Sequence, residues 1–259
     1  MGTFLFDSTI FGPVISRRLG SSLGINLLPN DIKICTFNCI YCECGLTPEL
    51  PDKRYQLPSR KEVRKLLEEY LIRLQHTHKK IDAMTFAGNG EPTLHPEFPG
   101  IIDDVLELRE KYLPGVKIAV LSNGTFIHHP EVFNALHKVD FNILKLDSLI
   151  EKTQKLINCP LGDYSIKKTL EGFKKFNGKL IIQTMFFRGI YNGIYIDNTS
   201  KEELNLLIKT YREINPESVM IYTISRDTPY HDLQKVNEDE LKTIAGKIEK
   251  LGIKTHVSG

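Results

Sequence analysis

Short β-rich runs and amphipathic helical stretches alternate six times along the 259-residue chain. This pattern predicts an α/β fold with parallel strands, a partial (β/α)6 TIM-like barrel. Parallel neighbours need a crossover helix between them, and six units fall short of the eight that close a full barrel. Glycine and polar residues also gather just after the apolar runs, where loops at the C-terminal ends of strands build sites in such folds. No linker-like stretch, low-complexity run or repeat divides the chain, so one domain is expected over residues 1–259. Its expected parts are an N-terminal lead-in over 1–21, a core barrel over 22–226, and a C-terminal helix and short strand over 227–259.

Leu23 to Leu28 reads as the first strand, and a cysteine-rich loop follows it. Ser59 opens a helix, and Glu62 three residues on completes a capping box. Val63, Leu66, Leu67, Tyr70, Leu71 and Leu74 recur at helical spacing along it. Ala83 to Ala87 forms the second strand, ahead of Gly88-Asn89-Gly90-Glu91-Pro92, and the next helix buries Ile101, Ile102, Val105, Leu106 and Tyr112. The third strand, Lys117 to Leu121, ends at Ser122-Asn123-Gly124 and leads to a helix near Pro130 to Val139. Phe141 to Leu146 is the fourth strand, ending at Asp147-Ser148, with helical segments after it, the clearer from about Ser165 to Phe176. Lys179 to Phe187 is the fifth, followed by a capped helix from Ser200 to Ile214. Ser218 to Ile224 is the sixth, Asn237 with Glu240 opens the last helix, and Ile253 to Val257 is a short final strand.

A net charge of +2 and a pI near 8.2 do not suggest a general nucleic-acid binder. No apolar run approaches the roughly 18 residues of a membrane span. Met1 to Asp7 lacks a basic n-region and a long apolar core, so no signal peptide is expected there. Four of the five cysteines crowd between Cys35 and Cys44, unlike a disulfide scaffold, and a reducing cytoplasm is the expected location.

Cys35, Cys39 and Cys42 form a C-x3-C-x2-C loop. Three thiolates suit an iron–sulfur cluster that keeps one iron free of protein ligands, whereas a structural zinc site wants a fourth ligand. Strand ends bring further polar residues toward that loop: Asn89, Gly90 and Glu91 after the second, Ser122 and Asn123 after the third, Lys145 and Asp147 at the fourth. Gln183 lies within the fifth, and Tyr222, Ser225 and Arg226 mark the sixth. Gly88-Asn89-Gly90 lacks the third glycine of a dinucleotide fingerprint, and no phosphate-binding Walker sequence occurs.

The cysteine motif, with Tyr41 before its last cysteine, resembles the radical S-adenosylmethionine (SAM) superfamily. Gly88 to Pro92 resembles that superfamily's glycine-rich motif, and the likeness covers roughly residues 12–226. Gly12 to Gly20 and Gly88 to Leu94 are similar to the branch that includes the tRNA wyosine-synthesis enzymes. The resemblance implies one [4Fe-4S] cluster on Cys35, Cys39 and Cys42, with SAM chelated at the fourth iron through its amino and carboxylate groups. Reduction would cleave SAM to a 5′-deoxyadenosyl radical that abstracts hydrogen from a substrate. It further implies that the backbone of Asn89 and Gly90 approaches the methionine amino group, while Glu91 holds the turn or accepts a hydrogen bond. Ser122, Asn123, Lys145 and Asp147 are then candidates for the carboxylate and ribose, and Tyr41 and Tyr222 for the flanks of the adenine. An external reductant such as flavodoxin or ferredoxin is the implied partner.

The chain departs from wyosine synthases in having no second group of three cysteines, no flavodoxin-like segment and no strongly basic balance. The substrate stays open among a small molecule, a peptide or protein (an activase role included) and tRNA. A protein that uses the cluster for electron transfer or binding, without SAM cleavage, is the alternative of another class. Arg17 and Arg18 are candidate grips for a phosphate or carboxylate on the substrate, set against a role bracing the lead-in by ion pairs. Cys44 reads as a passive neighbour, Cys159 as a helix-end thiol, and His95 as a candidate ligand contact beside the glycine motif.

Overall fold

The structure is a computed structural model and describes residues 4–49, 55–77 and 79–259. Met1 to Thr3, at the start of the segment read for a signal peptide, lie outside the described residues. The expected parallel strands are present as β2 (Gly20–Ile25), β3 (Ala83–Phe86), β4 (Lys117–Ser122), β5 (Phe141–Lys145), β6 (Ile181–Tyr191) and β8 (Ser218–Thr223). They are hydrogen-bonded in that order, and β10 (Lys254–Ser258) adds a further parallel strand beside β8. β1 (Ile10–Ser16) pairs antiparallel with β2 at the opposite edge. The sheet curls into a half-barrel that is open between β1 and β10.

Around it lie α1 (Arg60–Gln75), α2 (Phe98–Tyr112), α3 (Pro130–Lys138), α4 (Glu151–Asn158), α5 (Ile166–Lys175), α6 (Lys201–Ile214) and α7 (Glu238–Glu249). Ser59, Ser165, Ser200 and Asn237 cap α1, α5, α6 and α7, each side-chain oxygen accepting from a backbone N–H three residues on. Two short strands, β7 (Ile194–Asp197) and β9 (Leu233–Lys235), pair antiparallel with the far end of β6.

Strand alternation separates two packing layers. Met84, Phe86, Ile118, Val120, Leu144, Ile182, Val219 and Ile221 point outward and join the helices in the main core. Ala119, Ile143, Ile181 and Met220 point inward and form an apolar floor with Leu19. Two residues further along the same strands come Leu121, Lys145, Gln183 and Tyr222, the next inward positions, of which the last three carry polar groups.

Three differences from the sequence reading have local causes. The first parallel strand ends at Ile25 rather than Leu28. There the Asn26 side chain bonds both the N–H and the C=O of Leu28 and turns the chain, while Leu27 and Leu28 stay buried. The lead-in over 1–21 contains β1, because Phe11 stacks over the space that Gly24 leaves open on β2. A β-carbon at Gly24 would come within 2.0 Å of the Phe11 ring. Finally, β6 runs on to Tyr191 because β7 and β9 supply partners for its extension.

Candidate functional site

The cysteine loop is fixed at both ends by backbone hydrogen bonds. On one side Ile34 N–H donates to Asn89 C=O (2.9 Å) and Glu91 N–H donates to Ile34 C=O (3.1 Å), so the loop pairs with the glycine turn. On the other, Asn38 N–H donates to Cys159 C=O (3.0 Å) and Ile40 N–H to Ile157 C=O (2.9 Å). Cys159 caps α4 in the left-handed conformation (φ 40°), which aims its carbonyl at the loop and accounts for this helix-end cysteine. Gly90 must be glycine for the pairing to form. Its φ is +140° and a β-carbon would lie 1.7 Å from the Ile34 carbonyl oxygen.

Cys35, Cys39 and Cys42 line one cavity of about 150 Å³ together with Gly90, Glu91 and Lys145. Among the described residues, no three Cys, His, Asp or Glu side chains are gathered closely enough to hold a single metal ion. The trio surrounds a space instead, which fits a multi-iron cluster better than one zinc ion. N–H groups point at its sulfurs: Phe37 N (3.5 Å) and Asn123 Nδ2 (3.6 Å) at Cys35, Asn158 Nδ2 (3.3 Å) at Cys39. Burial pushes the Cys35 thiol up to about 12 and Cys39 up to about 11. Cys42 instead falls to about 5, because the adjacent Cys44 thiol hydrogen-bonds to it and the Lys33 ammonium is near, and Cys44 is raised in turn. Cys44 also donates to the Gly88 carbonyl at 3.4 Å.

Lys33 was not among the residues singled out from the sequence. It is 3% exposed, lines the same cavity and donates to the Gly45 carbonyl at 2.7 Å, with no carboxylate within 4 Å among the described residues. Burial alone would lower its ammonium, but the three cysteine sulfurs hold it above its ordinary value. Its signal was available in Lys33-Ile34-Cys35: in an extended segment, residues two apart share a side. Asn158 carried no such signal, since only the placement of α4 against the loop brings it to Cys39.

Glu91 is buried and accepts four hydrogen bonds, from Thr93 N and Oγ1, Ser122 Oγ and Asn123 N, which joins the glycine turn to the end of β4. Burial raises its carboxyl, against the pull of those donors. The Asn89 side chain turns away from the cavity, bonding Phe6 N–H and C=O and Pro29 C=O. Asn123 is held by Thr36 and Thr125. Asp147 accepts from the Tyr41 hydroxyl, from Asn158 Nδ2 (2.7 Å) and from Met185 N–H (3.0 Å), and lies 3.6 Å from Lys145 Nζ. Lys145 also donates to the Tyr41 hydroxyl at 2.6 Å. Burial is the largest influence and opposes the Lys145 charge, but Asp147, Tyr222, Cys39 and Cys42 together keep the ammonium above its usual range.

Arg18 reaches inward, donating to Gln183 Oε1 at 2.7 Å with its guanidinium 4.5 Å over the Tyr222 ring. Arg17 goes elsewhere: it donates to the Gly259 carbonyl at 2.7 Å and ties the β1–β2 hairpin to the opposite edge of the sheet. His95 does not line the cavity. Its Nδ1 accepts from Glu97 N–H and its Nε2 donates to the Pro58 carbonyl, so it braces the entry to α1. Arg226 pairs with Glu43 in the cysteine loop at 2.7 Å, whereas Ser225 is absent from the cavity lining. Among the described residues no helix is long and apolar enough to cross a membrane.

The Radical SAM superfamily profile matches residues 30–192. The UPF0026 protein of Helicobacter pylori is 33% identical over 236 residues, 90% of this chain and 71% of that protein. The chain spans between 32% and 71% of the length of the curated relatives it matches. Among solved structures, a radical SAM methyltransferase from Sphaerobacter thermophilus aligns with a TM-score of 0.67 at 14% identity, over 92% of this chain and 65% of that one. An archaeal TYW1 aligns with a TM-score of 0.50 at 13% identity, over 88% of this chain and 71% of that one. The narrower likeness to wyosine synthases therefore stands at the level of fold. The cysteine loop and the glycine turn lie within the profile match, and the chain belongs to the radical SAM superfamily.

Proposed function

We propose that this protein is a radical SAM enzyme whose Cys35, Cys39 and Cys42 hold one [4Fe-4S] cluster. The observation that carries this reading is one cavity bounded by three cysteines and by a glycine turn that pairs with their loop. When bound and reduced, such a cluster would supply the electron for reductive cleavage of SAM, and the chemistry it would offer is hydrogen abstraction from a substrate. The electron comes from an external reductant such as flavodoxin or ferredoxin.

The chain's own residues bind, orient and shield. Gly90 lets two backbone segments meet at the cavity wall, leaving room for the amino-acid end of SAM. Glu91 locks the glycine turn to Ser122 and Asn123, and Asn123 bonds Thr36 in turn, so the three strand-end loops are joined. Lys33 places a buried positive charge beside three thiolates, offsetting the cost of gathering them in a dry site. Lys145, with Asp147 behind it, offers a cation at the opposite wall for the SAM carboxylate. Tyr41 is held edge-on to Phe187 and anchored through its hydroxyl, a rigid aromatic surface beside the cysteines. The apolar floor of Ala119, Ile143, Ile181 and Met220 keeps water from the base of the barrel.

Anaerobic reconstitution of single variants tests the ligand assignment. Cys35→Ala, Cys39→Ala and Cys42→Ala should each lose most of the bound iron, while Cys44→Ala and Cys159→Ala retain it. Full iron in the Cys39 variant would overturn the assignment.

A further inference from the structure

Beside the cysteine cavity, and sharing Leu121 with it, the barrel interior holds a second cavity of about 540 Å³. Its size is that of a small-molecule site. One wall is made of small side chains on β2 and β3, including Ser22, Gly24 and Thr85. Phe11 packs directly on Gly24, and Phe6 stacks on Phe11 at 3.7 Å between centroids, which gives the cavity an aromatic surface. The segment bearing Phe6 is tied to both halves of the cysteine site, through Phe4 N–H to Glu43 C=O (2.9 Å) and through Phe6 to Asn89.

Charge at this cavity is uneven. Arg226 on its rim is already neutralised by Glu43. Arg18 and Arg17 also line it; Arg17 is engaged by a terminal oxygen of Gly259 at 2.7 Å, whereas Arg18 has no carboxylate within 4 Å among the described residues. Arg18 is pinned by Gln183 and stacked on Tyr222, so its guanidinium edge is presented in a fixed place, which lowers the entropy cost of gripping an oxyanion. Val14 and Ile15 lie exposed at the mouth and extend the apolar surface outward.

Resting on the radical SAM reading above, we propose that this second cavity is the substrate site. Its occupant is a small organic oxyanion with an apolar body, its carboxylate or phosphoryl head held by Arg18. The apolar body lies against Phe6 and Phe11.

Equilibrium dialysis of the reconstituted full chain with SAM present tests this with the anionic dye 8-anilinonaphthalene-1-sulfonate and its neutral analogue N-phenyl-1-naphthylamine. The anion should bind saturably at one site, and Arg18→Gln should weaken it roughly ten-fold, the loss of one charge-assisted contact, with the neutral analogue unaffected. Arg18→Lys should recover part of the loss, and Arg17→Gln on the exposed hairpin tip, whose guanidinium is engaged at Gly259, should leave binding unchanged. Phenylacetate or phenyl phosphate should displace the dye, and the better displacer names the head group. Displacement by neither, or anion binding unchanged in Arg18→Gln, overturns the proposal. Dye binding needs no electron transfer. Absent anion binding alongside intact 5′-deoxyadenosine formation would sink this inference alone, whereas binding without that product would sink the enzyme reading alone.

Discussion

At the residue scale, the site depends on a few side chains with no freedom to change. Gly90 is one, since the contact with Ile34 leaves no room for a β-carbon. Lys33 is the most informative, because its buried ammonium stands beside three cysteine sulfurs and bonds a backbone carbonyl, with no carboxylate within 4 Å among the described residues. Replacing it with the near-isosteric, neutral side chain in Lys33→Met should shift the reduction potential of the bound cluster to more negative values, by roughly tens of millivolts. Redox titration followed by electron paramagnetic resonance measures this. A potential that is unchanged or more positive would show that Lys33 serves only the Gly45 carbonyl. The sequence motif made the three cysteines legible, because metal-binding spacing lies within one short loop. It could not reveal that Asn89 turns its side chain toward the lead-in, or that Asn158 reaches Cys39. Both depend on contacts between segments more than 80 residues apart.

At the element scale, periodicity and caps carried most of the information. Ser59 and Asn237 open α1 and α7 where their side chains and the following glutamates suggested. The antiparallel additions were harder to read. β1 is an edge strand and β7 and β9 are short pieces, and their strand character comes from the neighbours they pair with rather than from their own alternation. Helix packing offers a pH test. Asp104 on α2 accepts from Arg60 Nε (2.7 Å) and Nη2 (2.9 Å) and from Arg64 (3.2 Å), and this hydrogen bonding holds its carboxyl below the usual range. A depressed carboxyl stabilises the fold fully above the unfolded value of about 3.9, and that support is lost as pH falls through the folded value. Because Arg60 is half exposed, the effect is about 1 kcal/mol, or about 2 °C in melting temperature. Asp104→Asn should therefore melt below the parent protein at pH 6, with the gap narrowing as the pH falls below about 3.9. A gap that stays constant across that range would contradict the assignment.

At the scale of the whole molecule, one alternation accounts for both packing and chemistry. Each parallel strand sends an apolar residue outward to the helices, while its inward residues build first a floor and then a polar layer under the strand-end loops. The fold class was legible because that alternation repeats six times. The second cavity was not, since it arises only when the hairpin carrying Arg17 and Arg18 folds into the half-barrel. The central claim is that the cavity at Cys35, Cys39 and Cys42 supports reductive SAM cleavage. Incubating the anaerobically reconstituted protein with SAM and dithionite, and quantifying 5′-deoxyadenosine by liquid chromatography, tests it most directly. The account predicts 5′-deoxyadenosine from the parent protein and none above background from Cys39→Ala. A fully iron-loaded parent protein that forms no 5′-deoxyadenosine would contradict it.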